Sequence, residues 1–387
     1  MAIPISYNIR NLRQRKAATL MTALGIALTV ATALFIMALL DGLRHAFVST
    51  GQPLNVLVLR QGSQAEMQSF VEMEAAQVLK QLPGVAAKGN GEPLVSGEHV
   101  VVINLPRRNG PGEVNVTVRG MGATGIALRP NVKLTEGRWF QEGQREVVVS
   151  QTIHKRFAHA GLGDSVEFGQ GAWKVVGVFD ASGTAHESEI WGDVNQMAAD
   201  FDRRDGFSSV LVQAVDAVAA DALTHRVSDD QRLKLEGMHE TEYYGAQTSS
   251  GAPIQLVGTL VAIIMAIGSC FSAMNTMYTA VAYRSREVAI LRVLGFSRRS
   301  ILTSFLFESL LLALLGGLIG VALLLPFSGM SAGSYNLVTF SEVVYTVHLS
   351  SRVVAAALGL AVLMGLFGGL APAWQAACQN IVVTLRE

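Results

Sequence analysis

The chain has 387 residues, of which 50% are hydrophobic and only 16% are charged, and its mean hydropathy is +0.37. This composition is too apolar for an ordinary soluble protein and too charged for a chain that lies wholly in lipid. It indicates a membrane protein with a sizeable water-exposed domain. The formal net charge is zero, so bulk charge does not favour nucleic-acid binding and we expect no nucleic-acid partner. The two cysteines, Cys270 and Cys378, lie in or beside apolar segments, which leaves the polar region without a disulfide framework or a thiolate metal site.

The first apolar stretch predicts a membrane-spanning helix over residues 17–44. Residues 17–40 carry no charge, and about 20 such residues are enough to cross a bilayer. Four basic residues precede the stretch between positions 10 and 16, and a basic flank of this kind stays in the cytoplasm. A cleaved signal peptide is the alternative, but the apolar core exceeds the usual length of about 7–15 residues and no convincing A-x-A site follows.

Residues 1–16 are interpreted as a cytoplasmic amphipathic helix on the inner membrane surface. Ile5, Ile9 and Leu12 recur at the spacing of one helix face. A frayed basic tail explains the same periodicity equally well, so both interpretations stay open.

Residues 45–250 are polar and mixed, and they predict a globular α+β domain. Short alternating or β-branched runs predict strands at residues 55–60, 99–105, 114–119, 146–150, 172–179 and 209–215. The intervening segments predict helices at residues 64–82, 151–160, 193–202 and 217–227. Because the first helix begins in the cytoplasm and crosses once, we expect this domain to be extracytoplasmic.

Three further apolar stretches predict membrane helices over residues 251–283, 301–327 and 352–376. The connecting residues 284–300 carry five arginines, whereas residues 328–351 have almost no Lys or Arg and are expected to form an extracytoplasmic loop. Residues 377–387 are expected to form a cytoplasmic tail, so both termini are cytoplasmic. The predicted fold class is a membrane protein with four transmembrane α-helices and a large extracytoplasmic α+β domain between helices 1 and 2.

The arginine-rich connection carries a recognisable pattern. It reads R-S-R-E-V-A-I-L-R-V-L-G-F-S-R-R-S-I from Arg284 to Ile301. This run resembles the signature of the FtsX/MacB/LolC family of ABC-exporter permeases, which is R-x-x-E-I-[AG]-x-L-R-A-x-G-x-x-x-x-x-I. The matching residues are Arg284, Glu287, Val288, Ala289, Leu291, Arg292, Gly295 and Ile301.

Other segments carry the same resemblance in the same order along the chain. They are residues 8–27, 136–149, 162–179 and 372–386, which look like the family's N-L-x-R-x-K, G-R-x-F…E-V-V, L-G-x-x-[VI]…V-V-G and P-A-x-x-A-A…A-L-R motifs. Ala17-Ala18-Thr19 replaces an arginine-threonine pair, and Ile381 stands where the family has proline. Each piece is weak alone, but their shared order is specific.

The resemblance implies a permease subunit of an ABC exporter or mechanotransmission complex, with a MacB-like periplasmic core domain and an FtsX-like permease domain, in the bacterial inner membrane. It implies a dimer with a second copy or a similar permease, and two copies of a separate P-loop ATPase that holds ATP and Mg. A periplasmic adaptor or an outer-membrane factor as a further partner is left open by the resemblance. The implied cargo is lipidic, a lipoprotein, a peptide or a drug.

The alternative function is an FtsX-like regulator that transmits ATPase motion to an extracytoplasmic cell-wall hydrolase. Under either function the chain is expected to be non-catalytic and to bind no cofactor or metal. The sequence contains no G-x-x-x-x-G-K-[ST] phosphate loop, which excludes ATP hydrolysis by the usual P-loop route.

The resemblance also implies that the arginine-rich segment is where the ATPase acts. The residues assigned to this coupling are Arg284, Arg286, Glu287, Ile290, Leu291, Arg292, Gly295 and Phe296. The apolar arc of the segment consists of Val288, Ile290, Leu291 and Leu294. Arg286 and Arg292 lie off that arc, and Gly295 is expected to end the helix because glycine tolerates the left-handed conformation. The alternative is a basic loop that sets topology and binds anionic membrane lipid.

Polar and small residues mark the third and fourth apolar stretches. A carboxylate inside a membrane is costly, so we expect Glu308 to pair with an arginine of the basic segment. We expect it to serve structure or coupling rather than proton transport. Two G-x-x-x-G spacings allow close helix approach, and packing within the chain and a dimer contact are both open for them. These glycines are Gly316, Gly320, Gly365 and Gly369.

Motifs for catalysis are weak. The run HESEI at residues 186–190 lacks the second histidine of a zincin motif, and His154 and His159 are five residues apart, so solvated positions are expected for these histidines. The run GMSAG at residues 329–333 matches G-x-S-x-G but follows a membrane helix instead of a strand. A hydrolase that uses Ser331 is therefore disfavoured.

Overall fold

The computed structural model describes residue 10, residues 16–336 and residues 338–379. The amphipathic helix expected at residues 1–16 and most of the tail expected at residues 377–387 lie outside the described residues. Two compact units make up the chain. The membrane unit comprises residues 1–41, 252–330 and 347–387, and the α+β unit comprises residues 42–251 and 331–346.

The described residues form long helices in the membrane unit and a mixture of strands and short helices in the α+β unit. The helices are α1 (Lys16–Val48), α2 (Met73–Lys80), α3 (Ala123–Ala127), α4 (Gln151–Arg156), α5 (Val194–Asp200), α6 (Ala217–Asp229), α7 (Glu240–Gln247), α8 (Ala252–Tyr283), α9 (Ser285–Val293), α10 (Arg298–Leu324) and α11 (Ser351–Cys378). The strands are β1 (Asn55–Arg60), β2 (Val71–Glu72), β3 (Val95–Pro106), β4 (Glu113–Met121), β5 (Lys133–Gly137), β6 (Glu146–Ser150), β7 (Ser165–Phe168), β8 (Gly171–Asp180), β9 (Glu189–Asp193), β10 (Gly206–Phe207), β11 (Ser209–Gln213), β12 (Leu235–His239), β13 (Ser331–Asn336) and β14 (Ser341–Thr346). Short 3-10 helices lie at Glu66–Gln68, Ala185–Ser188, Thr248–Gly251 and Leu325–Phe327.

The membrane unit is built on helices α1, α8, α10 and α11. Among the described residues these four are long and apolar enough to cross a membrane, which confirms the predicted fold class. Helices α10 and α11 each have a serine as the N-cap residue. The side chains of Ser297 and Ser350 accept hydrogen bonds from the backbone N–H groups of Ser300 and Val353. Such caps satisfy donors that the first helical turn leaves free.

The glycine pairs pack helices of the same chain against each other. A Cβ added at Gly316 would lie 2.7 Å from the carbonyl oxygen of Ala23, and one at Gly320 would lie 2.7 Å from that of Ala27. These contacts bring α10 against α1. Gly365 and Gly369 approach Ala313 and Ser309 in the same manner and bring α11 against α10. The close approach that small residues permit is therefore made within the chain.

The α+β unit is centred on a ten-stranded mixed sheet. Its strand order is β12-β1-β11-β3-β4-β9-β6-β8-β5, with β7 paired to β8. The pairs β4–β9 and β6–β8 are parallel, and the others are antiparallel. The long strand β3 pairs with β11 along its first part and with β4 along its second, so it joins the two halves of the sheet.

The helix predicted over residues 64–82 is wrong in its first half. That half contains the 3-10 helix Glu66–Gln68 and strand β2, and α2 begins only at Met73. The side chain of Ser69 accepts a hydrogen bond from the backbone of Arg60, and β2 pairs with β10. These long-range partners hold the backbone extended despite its helical periodicity.

The helix predicted over residues 151–160 ends four residues early, at Arg156. Phe157 is 1% exposed and has an extended backbone that bridges to Arg107. Burial of this aromatic side chain in the core therefore ends the helix.

The connection predicted over residues 328–351 contains a β-hairpin that was not predicted from the sequence. Strands β13 and β14 pair in register from Ser331–Thr346 to Asn336–Ser341. The run Ser-Glu-Val-Val-Tyr-Thr of β14 is β-branched and aromatic, as strands prefer, and this signal was present in the sequence. The hairpin belongs to the α+β unit, although its ends continue into α10 and α11.

Candidate functional site

The arginine-rich connection between α8 and α10 forms the short helix α9. Gly295 follows this helix with φ of +94°, a conformation that favours glycine. The backbone N–H of Phe296 donates to the carbonyl of Leu291 at 3.1 Å, and the N–H of Gly295 donates to that of Arg292 at 3.2 Å. This pair of bonds is a Schellman motif. The predicted role of Gly295 in ending the helix is confirmed.

Helix α9 has one buried and one exposed apolar face. Val288 and Ala289 are 3% and 4% exposed, and Val288 packs in a cluster with residues of α8, α10 and α11. Ile290, Val293 and Leu294 are 50%, 64% and 66% exposed. The single apolar arc predicted from the sequence is therefore wrong. Val288 faces the chain's own bundle, whereas Ile290 and Leu294 point away from it together with Val293, a residue outside the predicted arc.

The start of α9 is fixed to α10 by a buried ion pair. Arg284 Nη1 lies 2.8 Å from Glu308 Oε2, and both side chains are nearly buried. The guanidinium carbon of Arg284 lies 5.0 Å from the centre of the Phe305 ring, and its Nε lies 3.5 Å from Glu287 Oε2. The predicted pairing of Glu308 with an arginine of the basic segment is confirmed.

The remaining coupling residues differ in exposure. Arg286 and Glu287 are exposed, and Leu291, Arg292 and Phe296 are half-buried. Within the described part of the chain, the buried Nε of Arg292 has no hydrogen-bond partner. The segment therefore presents exposed apolar side chains beside arginines, on a helix that is anchored at its start by Arg284 and along one face by Val288. This arrangement suits the binding of a partner surface that offers apolar groups and acceptors.

The α+β unit contains a second cluster of charged residues, centred on Arg119. This arginine is 2% exposed, and its guanidinium donates five hydrogen bonds at 2.7–3.1 Å to Glu66, Glu98 and Glu189. Arg129 donates two hydrogen bonds of 2.7 Å to Glu98, one to each carboxylate oxygen. The carboxylates come from the 3-10 helix after β1 and from strands β3 and β9, so the cluster ties distant segments of the unit together.

The neighbouring arginines lower the pKa values of two of these buried carboxylates, Glu98 and Glu189. Burial alone would raise the pKa of Glu189, but the positive charge of Arg119 and the hydrogen bonds that it donates outweigh burial and hold that pKa well below its usual value. Burial is likewise outweighed at Glu98, where Arg129 and Arg119 lower the pKa. Glu240 differs, because burial raises its pKa despite the nearby charge of Arg129.

This charge cluster was not predicted from the sequence. The only available signal was a single charged residue within each of several β-branched runs, as in Val-Thr-Val-Arg at residues 116–119. The pairing of β4 with β3 and β9 brings the strands that carry Glu98 and Glu189 beside Arg119, and Glu66 joins them from the 3-10 helix after β1. His186 also belongs here, with Nδ1 3.1 Å from Glu189 Oε2. At 2% exposure, it contradicts the solvated position predicted for it, because the 3-10 helix that carries it is buried.

The weak catalytic motifs do not assemble into a site. Ser331 is exposed at the first position of β13, and the strand follows it where the G-x-S-x-G elbow requires a helix. Among the described residues, no group of three or more His, Cys, Asp or Glu side chains is arranged to hold a metal ion.

Another buried histidine gives a prediction for acid stability. His99 is 2% exposed, neither ring nitrogen has a hydrogen-bond partner among the described residues, and its ring centre lies 5.6 Å from that of Phe207. Burial, reinforced by the charge of Arg203, lowers its pKa from 6.5 to about 4. Neutral His99 therefore contributes stability above pH 6.5, and that contribution, at most about 3 kcal/mol, is lost as the pH falls towards 4.

We expect His99→Phe to weaken the loss of stability between about pH 6.5 and pH 4. The measurement is urea unfolding followed by tryptophan fluorescence, which reports mainly the α+β unit because three of the four tryptophans lie there. The exposed His225 provides a control, and His225→Phe should retain the acid dependence of the unsubstituted chain. An unchanged acid dependence in His99→Phe would contradict the assignment.

Comparison with known families identifies the class of protein. Residues 19–229 match the MacB-like periplasmic core domain, and residues 259–381 match the FtsX-like permease C-terminal domain. The chain belongs to the FtsX/MacB family of ABC transporter permeases, and it is a membrane protein.

Its relatives include proteins with and without an ATP-binding part in their names. The macrolide export ATP-binding/permease protein MacB of Rhodopseudomonas palustris (strain HaA2) is 24% identical over 382 residues, which cover 92% of this chain and 56% of that protein. The uncharacterized ABC transporter permease YknZ of Bacillus subtilis (strain 168) is 27% identical over 292 residues, which cover 71% of this chain and 70% of YknZ. The chain spans about half the length of the MacB relatives that it matches.

Two solved structures are similar to part of the chain. The periplasmic region of MacB from Actinobacillus actinomycetemcomitans has a TM-score of 0.39 and 15% identity, covering 50% of this chain and 92% of that one. The extracellular domain of the transporter YknZ from Gram-positive bacteria has a TM-score of 0.35 and 20% identity, covering 48% of this chain and 99% of that one.

Proposed function

We propose that the chain is the permease subunit of an ABC exporter or mechanotransmission complex, and that α9 receives the motion of a separate ATPase. The observation that carries the proposal is the anchoring of α9. The Arg284–Glu308 pair and the Val288 cluster fix the helix to the membrane bundle, while Ile290, Val293 and Leu294 remain exposed. A helix held in this way passes a push on its outer face to the bundle without bending.

The orientation follows from the charge distribution. The basic residues before α1 and those of the α9 segment lie on the side that the positive-inside rule assigns to the cytoplasm. Both termini are then cytoplasmic, and the α+β unit is extracytoplasmic, in the inner membrane of a bacterium. The ATPase, with its ATP and Mg, docks at α9, one copy for each permease of a homodimer or heterodimer. The chain itself carries no catalysis and binds no cofactor.

We call the transmission of motion from the ATPase through α9 to the α+β unit the relay. Its proposed result is the movement of cargo by the α+β unit. The MacB relatives are named as macrolide export proteins, and this supports an amphipathic drug as cargo. The proposal also includes a lipid, a lipoprotein or a peptide as cargo, and a periplasmic adaptor or an outer-membrane factor as a further partner. Activation of a cell-wall hydrolase by the same relay is the second function. Binding of a soluble hydrolase without movement of cargo would distinguish it.

The double variant Ile290→Ser/Leu294→Ser tests the proposed docking face. Loss of two apolar side chains that a partner would bury is expected to weaken ATPase binding about tenfold or more. The measurement is the amount of P-loop ATPase that co-purifies with the chain in mild detergent, together with its ATP hydrolysis.

Val218 provides a matched control for this pair. It is 78% exposed on α6 of the α+β unit, so Val218→Ser removes an exposed apolar side chain elsewhere and should leave ATPase binding unchanged. If the double variant retains the ATPase as well as the control does, α9 is not the docking helix. If the unsubstituted chain retains no ATPase, the proposed function itself is wrong.

A further inference from the structure

The β13–β14 hairpin connects α10 to α11, yet it is built into the α+β unit. Five consecutive residues of β14, from Ser341 to Tyr345, are buried. The backbone N–H of Val344 donates a 2.7 Å hydrogen bond to Ser188 Oγ. Asn336, which is 1% exposed, donates a 2.7 Å bond from Nδ2 to Gln247 Oε1. The hairpin is thus packed into the unit like one of its own core segments.

Glu342 holds the hairpin by charge. Its Oε1 lies 2.6 Å from Arg156 Nη2, and its Oε2 lies 3.0 Å from Arg107 Nη2. The carboxylate is 8% exposed, so solvent screens these pairs less than it screens ion pairs at the surface. A Cβ at Gly333, on the neighbouring strand, would overlap this carboxylate, so glycine is needed there to make room for it.

The same region of the α+β unit receives the other connections to the membrane helices. Two residues after α1, Thr50 Oγ1 accepts a 2.8 Å hydrogen bond from the backbone of Ala185. Ala185 and Ser188 belong to one 3-10 helix, which therefore bonds both the segment that follows α1 and the hairpin. Gln247, the partner of Asn336, ends α7 shortly before α8 begins. Segments leading to all four membrane helices meet in this region.

The 3-10 helix leads directly into the buried charge cluster. Glu189 follows Ser188 as the first residue of β9 and binds Arg119. His186, from within the 3-10 helix, also contacts Glu189. The hairpin is therefore bonded to the residue that directly precedes β9, and strand β9 lies in the middle of the sheet, between β4 and β6.

We propose that the hairpin is the element that carries movement of α10 and α11 into the α+β unit, with Glu342 as its positioning residue. This proposal rests on the proposed function and specifies the path of its relay. Helix α10 also carries Glu308, the anchor of α9. A push on α9 thereby reaches α10, then β13 and β14, then the 3-10 helix and β9.

The test is Glu342→Lys in the full chain, purified in lipid nanodiscs with the ATPase that co-purifies. Hydrogen exchange of the hairpin amides reports whether the hairpin stays docked. The ATP-dependent change in exchange at β9, measured with and without ATP and Mg, reports the relay. We expect the hairpin amides to exchange at least about tenfold faster in the variant. The ATP-dependent change at β9 should be lost, while ATP hydrolysis continues.

A charge exchange separates the role of Glu342 from general damage to the fold. The double variant Arg156→Glu/Glu342→Arg keeps two arginines and one glutamate at the site and should restore both slow exchange and the ATP-dependent change. Glu167 is exposed on β7, so Glu167→Lys is the matched control and should behave like the unsubstituted chain.

Two results would overturn the proposal while leaving the proposed function intact. One is a hairpin that exchanges faster in Glu342→Lys although β9 still responds to ATP, and the other is a hairpin whose exchange does not change. Failure of the proposed function would appear earlier, as an unsubstituted chain whose α+β unit does not respond to ATP at all. The hairpin proposal would then fail with it.

Discussion

Replacing Arg119 by leucine is expected to destabilise the α+β unit by about 3–5 kcal/mol at neutral pH, because buried carboxylates lose the cation that offsets their desolvation. The arginine contacts Glu66, Glu98 and Glu189 at 2.7–2.9 Å. For a unit of this size, such a loss lowers the melting temperature by roughly 6–20 °C. Thermal unfolding followed by tryptophan fluorescence measures it, since Trp139, Trp173 and Trp191 lie in the unit.

The Arg119→Leu defect also has a defined dependence on pH. In the unsubstituted chain the pKa of Glu189 lies well below its usual value, so its pairing contributes stability above the unfolded pKa of about 4.3 and loses it as the pH falls through the folded pKa. In Arg119→Leu the positive charge that lowers the pKa of Glu189 is absent, so burial raises the pKa of this residue in the folded state. The stability difference between the variant and the unsubstituted chain should therefore shrink on acidification towards about pH 4.3.

An exposed arginine provides the control for Arg119→Leu. Arg232 pairs with Asp230 at 2.6 Å, but its side chain is 88% exposed. Arg232→Leu should leave the melting temperature nearly unchanged, because solvent already screens the pair. Equal effects of the two substitutions, or a defect in Arg119→Leu that does not vary with pH, would show that the buried cluster does not stabilise the unit through its charges.

Glu308→Ala is expected to destabilise the membrane unit and, under the proposed function, to uncouple it from the proposed ATPase. The substitution removes the carboxylate 2.8 Å from Arg284 Nη1, and breaking a buried pair from one side costs about 3–5 kcal/mol. Arg284 precedes α9 directly, so the start of the helix should detach from α10. The measurements are the melting temperature in detergent and the ATP-dependent response of the α+β unit.

Glu308→Gln distinguishes a structural carboxylate from a proton carrier. Glutamine keeps an oxygen that accepts a hydrogen bond from Arg284, so this variant should retain part of the stability and the coupling that Glu308→Ala loses. A proton carrier would instead lose function equally in both variants. For melting temperature, Glu287→Gln is the control. Its carboxylate is 58% exposed and 3.5 Å from Arg284, so little change is expected.

Much of the architecture was predictable because it depends on local composition. The four apolar stretches predict the four membrane helices, since each is long enough and apolar enough by itself to cross a bilayer. Gly295 was predictable as the end of α9 for a similar reason, because a left-handed conformation after a helix favours glycine in any context. The predicted strands at residues 55–60 and 146–150 coincide with β1 and β6, because their β-branched residues favour a strand whatever the rest of the chain does.

The candidate site was predictable only in part. The sequence predicted that Glu308 needs a cationic partner, because an unpaired carboxylate in a membrane is costly, but it did not distinguish Arg284 from the other arginines of the segment. It also placed Val288 and Ile290 on one arc, whereas the bundle buries the first and leaves the second exposed. Which side of a nine-residue helix is covered depends on neighbouring helices that are distant in the sequence.

Patterns along the sequence were enough to predict that this protein has four membrane-spanning helices, carries an α+β domain after the first helix and belongs with the permeases whose motifs it shares. Those properties follow from hydrophobic length, residue preference and motif order, all of which are local along the chain. Only the tertiary structure revealed the Arg119 cluster and the hairpin that Glu342 holds in the α+β unit. Each joins residues far apart in the chain, up to 235 positions for Arg107 and Glu342, and such pairings depend on how strands and helices pack.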